Sequence, residues 1–346
     1  MNTRLHPRSS ARKTLFYFIL VLFSALLLLL VAEVAARIIG YLPWRPTPRN
    51  TVVQPGESFF VKDDRLGYAM KPGEFNLILN DSISFQTKHN SAGYRTSGNK
   101  AESSTYPQIW MLGGSFTYGW GVNTSEAYPA KIQQAFPEYE ISNFGVGGYG
   151  TLHALYQLKD RLATGKRPTA VILAYASFHD QRNTCSRYWM KAIAPQALLQ
   201  GLAFPCARID LNDQLVYTME PVTYSPWFGM KISAFIHALE GMKCKADERR
   251  RNSPEVSRRL IMEINEICAK RSIPFILAGI EPDEATVLML ERCNSDGVVT
   301  IDISVDRSQL GMSLEPWDPH PSAAAHQVYA EKLIPTLRSI LKGKAN

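Results

Sequence analysis

Metal-binding spacings are missing from this chain: its five cysteines and seven histidines form no Cys-x-x-Cys and no His-x-x-x-His pair, so neither a structural zinc site nor any cofactor is expected. No low-complexity stretch or internal repeat divides the sequence after residue 50, which leaves one large domain with additions as the simplest count for 346 residues. Basic stripes interleaved with aromatic residues are also lacking, and no nucleic-acid reader motif occurs, so no nucleic-acid partner is expected. The formal net charge of +7 is a mild excess, and part of it is local to Arg4, Arg8, Arg12 and Lys13 and to Arg37, Arg45 and Arg49. With 45% hydrophobic and 20% charged residues, the composition allows a sizeable core and excludes wholesale disorder.

What the chain does have, near its start, is a long apolar run. Residues 14–32 are uncharged and rich in Leu, Phe, Val and Ile, and a helix rising ~1.5 Å per residue over that length crosses most of a bilayer. We expect a cytoplasmic N-terminus over residues 1–13, a transmembrane signal anchor over 14–36 and a single pass through the cell inner membrane. The positive flank sets that orientation, so everything after Arg37 is periplasmic or extracellular. Ala35 and Ala36 leave a cleavable signal peptide as the alternative. Glu33, at the outer end, is expected to snorkel to the interface, with contact to a partner helix as the other option. On the exported side disulfides persist. Cys185 with Cys206 would close a loop after the third strand, while Cys244, Cys268 and Cys293 remain; pairing and free buried thiols both stay open.

Pro43, Pro46, Pro48 and Pro55 mark residues 37–58 as an extended linker. Residues 59–105 show short alternating runs, such as Phe75, Leu77 and Leu79 followed by Ile83 and Phe85, which predict β-hairpins. From residue 106 the pattern changes. Short apolar strands at 109–112, 140–143, 170–175, 274–278 and 298–302 alternate with helical stretches, which predicts a parallel sheet covered on both faces in a three-layer α/β/α sandwich. One helix is well marked, with Ser253 as N-cap, Pro254 at N1, and Val256, Leu260, Ile261, Ile264 and Ile267 at helical period. In such a sheet, sites form at the C-terminal ends of strands.

Ser115 falls at such an end, in Gly113-Gly114-Ser115-Phe116-Thr117-Tyr118-Gly119. Far downstream, Trp317-Asp318-Pro319-His320-Pro321 supplies an Asp-x-His pair. A serine hydroxyl needs a base to become a nucleophile, and that base needs a carboxylate to orient it. The first segment, together with Asn143-Phe144-Gly145-Val146-Gly147-Gly148-Tyr149-Gly150-Thr151 and Asp318-Pro319-His320-Pro321, resembles the ordered sequence blocks of the SGNH (GDSL-type) hydrolases. The resemblance extends over roughly residues 60–342. Residues 63–72 and 90–95 resemble the segment that precedes the core in membrane-anchored bacterial members. It implies a flavodoxin-like sandwich with Ser115 as nucleophile, His320 as general base and Asp318 as its orienting acid. It also implies an oxyanion hole built from the amides of Ser115 and Gly148. Two positions depart from the family pattern. The usual Gly-Asp-Ser is Gly113-Gly114-Ser115, and the third block, normally Gly-x-Asn-Asp, is Ser177-Phe178-His179-Asp180. His179 therefore stands where the family has an oxyanion-hole asparagine, with Asn183 as a nearby alternative.

His326 is expected to pack or to support the site from behind, and His153 and His237 to be ordinary residues. An insertion at about residues 184–245 carries Tyr188, Trp189, Tyr217, Tyr224, Trp227 and Phe228, residue types that fit sugar faces, acyl chains or simply a core. The basic run of Lys243, Lys245, Arg249, Arg250 and Arg251 suits an anionic polymer or lipid head groups, or is a solvated face. The expectation that follows is a membrane-anchored serine esterase acting on an acylated carbohydrate or lipid, with O-acetyl groups of envelope or exported polysaccharide favoured. A lipase or thioesterase-like acyl hydrolase, and a non-catalytic envelope assembly protein with a lapsed site, are the alternatives.

Overall fold

The computed structural model describes residues 8–46, 50–98, 106–196 and 199–343. Residues 1–7 of the expected cytoplasmic N-terminus, with Arg4, lie outside them, as do residues 47–49 of the linker, with Pro48 and Arg49, and residues 99–105 of the β-rich segment. The chain divides into two compact units, Met1–Thr47 with Ser225–Ala246 and Pro48–Tyr224 with Asp247–Asn346.

In the first unit a single helix, Arg8–Ile38, holds a stretch long and apolar enough to cross a membrane. Glu33 does more than reach for the interface. Its carboxylate accepts hydrogen bonds from Ser233 Oγ at 2.7 Å and from the backbone amides of Ala234 and Phe235 at 3.0 Å each. These groups open the helix Ala234–Arg251, whose first amides have no intrahelical partner, so the carboxylate caps it.

In the second unit five parallel strands build the central sheet: Gln108–Leu112, Glu140–Asn143, Ala170–Tyr175, Phe275–Gly279 and Val299–Asp302. Numbered along the chain, their spatial order is 2-1-3-4-5, the flavodoxin-like arrangement. Alternate side chains leave opposite faces of a strand, and here both sets are apolar. Trp110, Leu112, Val171, Leu173 and Leu277 pack against the helices Thr151–Ala163, Ser253–Ala269 and Glu284–Ser295. Ile109, Met111, Ile172, Ala174 and Ile276 pack against Tyr128–Ala135 and Ala323–Lys342. Three layers result. The helix marked in the sequence begins one residue earlier than read, because Asn252, in the left-handed region, is the flanking residue. Ser253 Oγ instead meets Thr184 Oγ1 at 2.9 Å. Val256, Leu260, Ile261 and Ile264 are fully buried, and Leu260→Ala is expected to cost about 2–5 kcal/mol.

The β-rich segment contributes the hairpin Gly73–Leu79 with Ile83–His89, with Leu77 opposite Phe85. A third strand, Thr51–Gln54, pairs with Gly73–Leu79 inside the stretch expected to be linker. Its β-branched Thr-Val-Val run and the buried Val53 explain why it joins the sheet. In the insertion, the helix Arg187–Ile193 precedes a hairpin of Ala203–Ile209 with Leu215–Pro221. Cys185 is joined to Cys206 across 5.5 Å between Cα atoms, while Cys244, Cys268 and Cys293 are buried free thiols.

Candidate active site

The sheet order reverses between the first and third strands, and the crevice beyond their carboxyl ends is where ligands bind in this architecture. Ser115 lies there. The first strand ends at Leu112, two glycines turn the chain, and Ser115 opens the short helix Ser115–Tyr118. Asn143, at the end of the second strand, fixes this turn: its Nδ2 donates to Thr117 O at 3.0 Å and its Oδ1 accepts from Gly145 N at 3.0 Å.

From the other side, the strand Asp318–Pro321, paired with Ser313–Leu314, brings in the distant pair. His320 Nε2 stands 2.9 Å from Ser115 Oγ, and His320 Nδ1 is hydrogen-bonded to Asp318 Oδ1. The same carboxylate oxygen accepts from His320 N at 2.9 Å. Because an ionised carboxylate only accepts, it holds the ring proton on Nδ1 and leaves the Nε2 lone pair to face the serine hydroxyl. All three residues are buried, and the rings of Phe116 and Trp120 flank His320 at 5.6 and 6.2 Å between centroids. Arg307, paired with Glu281, donates to Pro319 O and so steadies the loop between Asp318 and His320.

The amides of Ser115 and Gly148 have no acceptor among the described residues. Gly148 has a φ of +83°, a conformation that L side chains rarely adopt, and the space a Cβ would need is filled by the Tyr68 hydroxyl. That hydroxyl donates to Gly147 O, and Tyr149 OH donates back to Tyr68 O. The β-rich segment thus grips the second block directly.

His179 and Asn183 part company. Both lie on the short helix Phe178–Asn183 after the third strand. Asn183 Nδ2 donates to Ser257 Oγ at 2.8 Å, and its Oδ1 accepts from Leu152 N at 3.0 Å. Its amide binds the helices together. His179 is buried, with Nδ1 3.5 Å from Thr151 Oγ1 and Nε2 turned toward Gly114. Burial first, then the Arg182 charge and His153, hold its imidazole well below the ordinary histidine range, so it is neutral and carries one N–H. Asp180 is pushed up to about 6 by burial and accepts from Tyr175 OH at 2.7 Å.

Arg182 escaped the sequence reading. Its guanidinium lies over the rings of Phe178 at 4.3 Å and Trp189 at 5.0 Å, and Nη1 donates to Tyr149 O at 2.8 Å. A Cβ on Gly114 would stand 2.9 Å from that Nη1, 3.1 Å from Tyr149 O and 3.4 Å from His179 Nε2. Space beside residue 114 is occupied by Arg182 and His179, and a residue without a side chain is what fits. Arg182 falls three residues after His179, one helical turn on, and that spacing was the available signal.

Of the other residues singled out, His326 accepts from Tyr128 N at 3.3 Å and stacks on the Tyr128 ring, which starts the helix Tyr128–Ala135. His153 stacks on Tyr149 at 4.2 Å, and His237 Nδ1 donates to Leu42 O at 2.7 Å. Among the insertion aromatics, Trp189 stands 3.8 Å from the Cβ direction of Gly148. Tyr217 instead donates to Glu263, and Tyr224 packs on Arg187. No cluster of three or more His, Cys, Asp or Glu suited to a metal occurs among the described residues.

No family model and no curated protein matches this chain. Among solved structures, it is similar to a member of the lipolytic protein G-D-S-L family from Veillonella parvula, with 11% identity over 67% of this chain and 98% of that chain and a TM-score of 0.38. It is also similar to a carbohydrate acetylesterase family member from Sinorhizobium meliloti, with 11% identity over 68% of this chain and 99% of that chain and a TM-score of 0.39.

Proposed function

We propose that this chain is a serine acyl hydrolase of the SGNH (GDSL) type, held in a membrane by its N-terminal helix with the catalytic body on the exported side. The observation that carries the reading is the hydrogen-bonded series from Ser115 Oγ through His320 to Asp318. In the reaction, Ser115 Oγ attacks the ester carbonyl carbon as its proton passes to His320 Nε2. The tetrahedral oxyanion is met by the amides of Ser115 and Gly148 and by the N–H of His179. As the C–O bond breaks, the Nε2 proton goes to the departing alkoxide and the acyl group stays on Ser115. Water, or a sugar hydroxyl, then gives its proton to Nε2 as its oxygen attacks the acyl carbon, and as the bond to Ser115 Oγ breaks that proton passes from Nε2 to Oγ, which restores Ser115 and neutral His320.

What supports a substrate class is the proposed exported location together with Trp189, which carries the Arg182 guanidinium on one face and stands beside Gly148, an aromatic group of the kind that packs on sugar rings. O-acetyl groups on envelope or exported polysaccharide are the esters that suit both. The test is labelling of the intact, detergent-extracted protein by a fluorophosphonate probe together with hydrolysis of acetyl and longer acyl esters of p-nitrophenol. Ser115 is expected to be the labelled residue, and Ser115→Ala to lose both labelling and turnover while keeping its unfolding temperature. A folded wild-type protein that takes no label would overturn the enzymatic reading. A preference for long acyl chains would move the substrate from polysaccharide to lipid.

A further inference from the structure

Residues 225–246 form one compact unit with the N-terminal helix. The apolar run of residues 14–32 spans ~28 Å as a helix, close to the ~30 Å of a bilayer's hydrocarbon core, so Glu33 falls at its outer edge. The groups that Glu33 holds, Ser233 Oγ and the amides of Ala234 and Phe235, lie at that same depth. Two more bonds fasten the arrangement: Trp44 N donates to Met230 O at 3.0 Å, and His237 Nδ1 donates to Leu42 O at 2.7 Å.

The side chains carried at this level suit lipid better than water. Phe228 is 99% exposed and Ile232 77%, four residues apart across tight turns in which Met230 N bonds Trp227 O and Ile232 N bonds Gly229 O. On the last turn of the long helix, Ile38 is 81% exposed. Of the charges that residues 225–246 carry, Lys231, Lys243 and Lys245 are exposed, and the acid Glu240 is fully buried. Aromatic and aliphatic side chains beside lysines at the end of a membrane span match the headgroup layer, where aromatic rings and long lysine stems sit at the interface.

We propose that residues 225–246 are an interfacial membrane-binding element, clasped to the outer end of the anchor by Glu33, with Phe228 and Ile232 seated among lipid headgroups. This rests on the reading of the N-terminal helix as a retained span. It also gives the helix a second role, as the template on which that element folds.

The full chain, reconstituted in phosphatidylethanolamine and phosphatidylglycerol vesicles with p-benzoylphenylalanine at position 228, tests it by photo-crosslinking and intact mass. The expected result is a lipid adduct at 228 on a protein that keeps its N-terminal helix. Glu33→Gln, which weakens the clasp without touching the triad, is expected to lower the adduct yield severalfold while fluorophosphonate labelling of Ser115 persists. A chain that keeps its helix but forms no lipid adduct, or crosslinks to a second copy instead, overturns the inference. A mass showing the helix removed overturns the anchor reading and the interfacial element together.

Discussion

Replacing Asp318 by Asn probes the site with the least change of shape. Asp318 is 4% exposed and serves two donors with one oxygen, the backbone N–H of His320 at 2.9 Å and the His320 ring N–H. An asparagine either sets its oxygen where Oδ1 stands, keeping both bonds without the carboxylate's charge, or turns its NH2 group to that place and gives up both. In the first arrangement the imidazolium formed during the reaction lacks its counter-charge; in the second the ring carries its proton on Nε2 and donates to Ser115 Oγ instead of receiving from it. Either way the triad keeps its shape and His320 becomes a poorer base. An aspartate-to-asparagine change of this kind lowers turnover about ten-thousandfold, or ~5 kcal/mol of transition-state stabilisation. The assay is kcat/KM on p-nitrophenyl acetate beside the fluorophosphonate labelling rate, both on detergent-extracted protein, with thermal unfolding as the control for folding. Labelling and turnover should fall together while the unfolding temperature holds. A decrease of less than tenfold in a folded variant would show that some other group orients His320.

His179→Ala is expected to lower kcat about a hundredfold to a thousandfold with little change in KM, the mark of a donor used only in the transition state, and His179→Asn to recover most of the loss. A rise in KM alone would make His179 a substrate contact. Acid should destabilise the fold through its buried histidines: desolvation holds His89 at about 4 and His153 and His326 at about 3. The unfolded chain takes these protons near pH ~6.5 and the folded chain does not until far lower, so unfolding binds protons throughout that window. Stability therefore rises with pH across it and is lost as pH falls below about 6.5. His326→Asn should flatten this slope, read as the difference in unfolding temperature between about pH 7.5 and about pH 5, and an unchanged slope would contradict the assignment.

The core was legible because local pattern and tertiary role agree there. Strands buried on both faces read as continuous apolar runs, and the helix Ser253–Ala269 shows its buried stripe as a 3.6-residue period. Ser115, Asp318 and His320 were legible as an ordered set, since the residue types themselves carry the chemistry. What did not show is whatever depends on partners far along the chain. Asn183 offers a donor by residue type, and only the fold shows its amide bonded to Ser257 Oγ and Leu152 N. Arg95 is fully buried, donating to the carbonyls of Tyr118 and Val122 beyond Ser115, and no local pattern announces a buried arginine. Glu33 reads as a cheap charge at a helix end because its acceptors' partners lie two hundred residues away.

The bonds from Tyr68 and Tyr149 bear on where this molecule can be cut. Sequence pattern draws a border near residue 106, with hairpins before it and an α/β sandwich after it. Mechanically the border is elsewhere, since the carbonyl beside Gly148 is held by a side chain some eighty residues upstream. A chain started at residue 106 would retain every strand of the parallel sheet and all three triad residues, yet the loop offering the Gly148 amide would have lost its brace. The smallest catalytic body therefore includes the preceding hairpins, and a fragment trimmed to the recognisable sandwich is expected to fold around an oxyanion pocket that no longer keeps its shape.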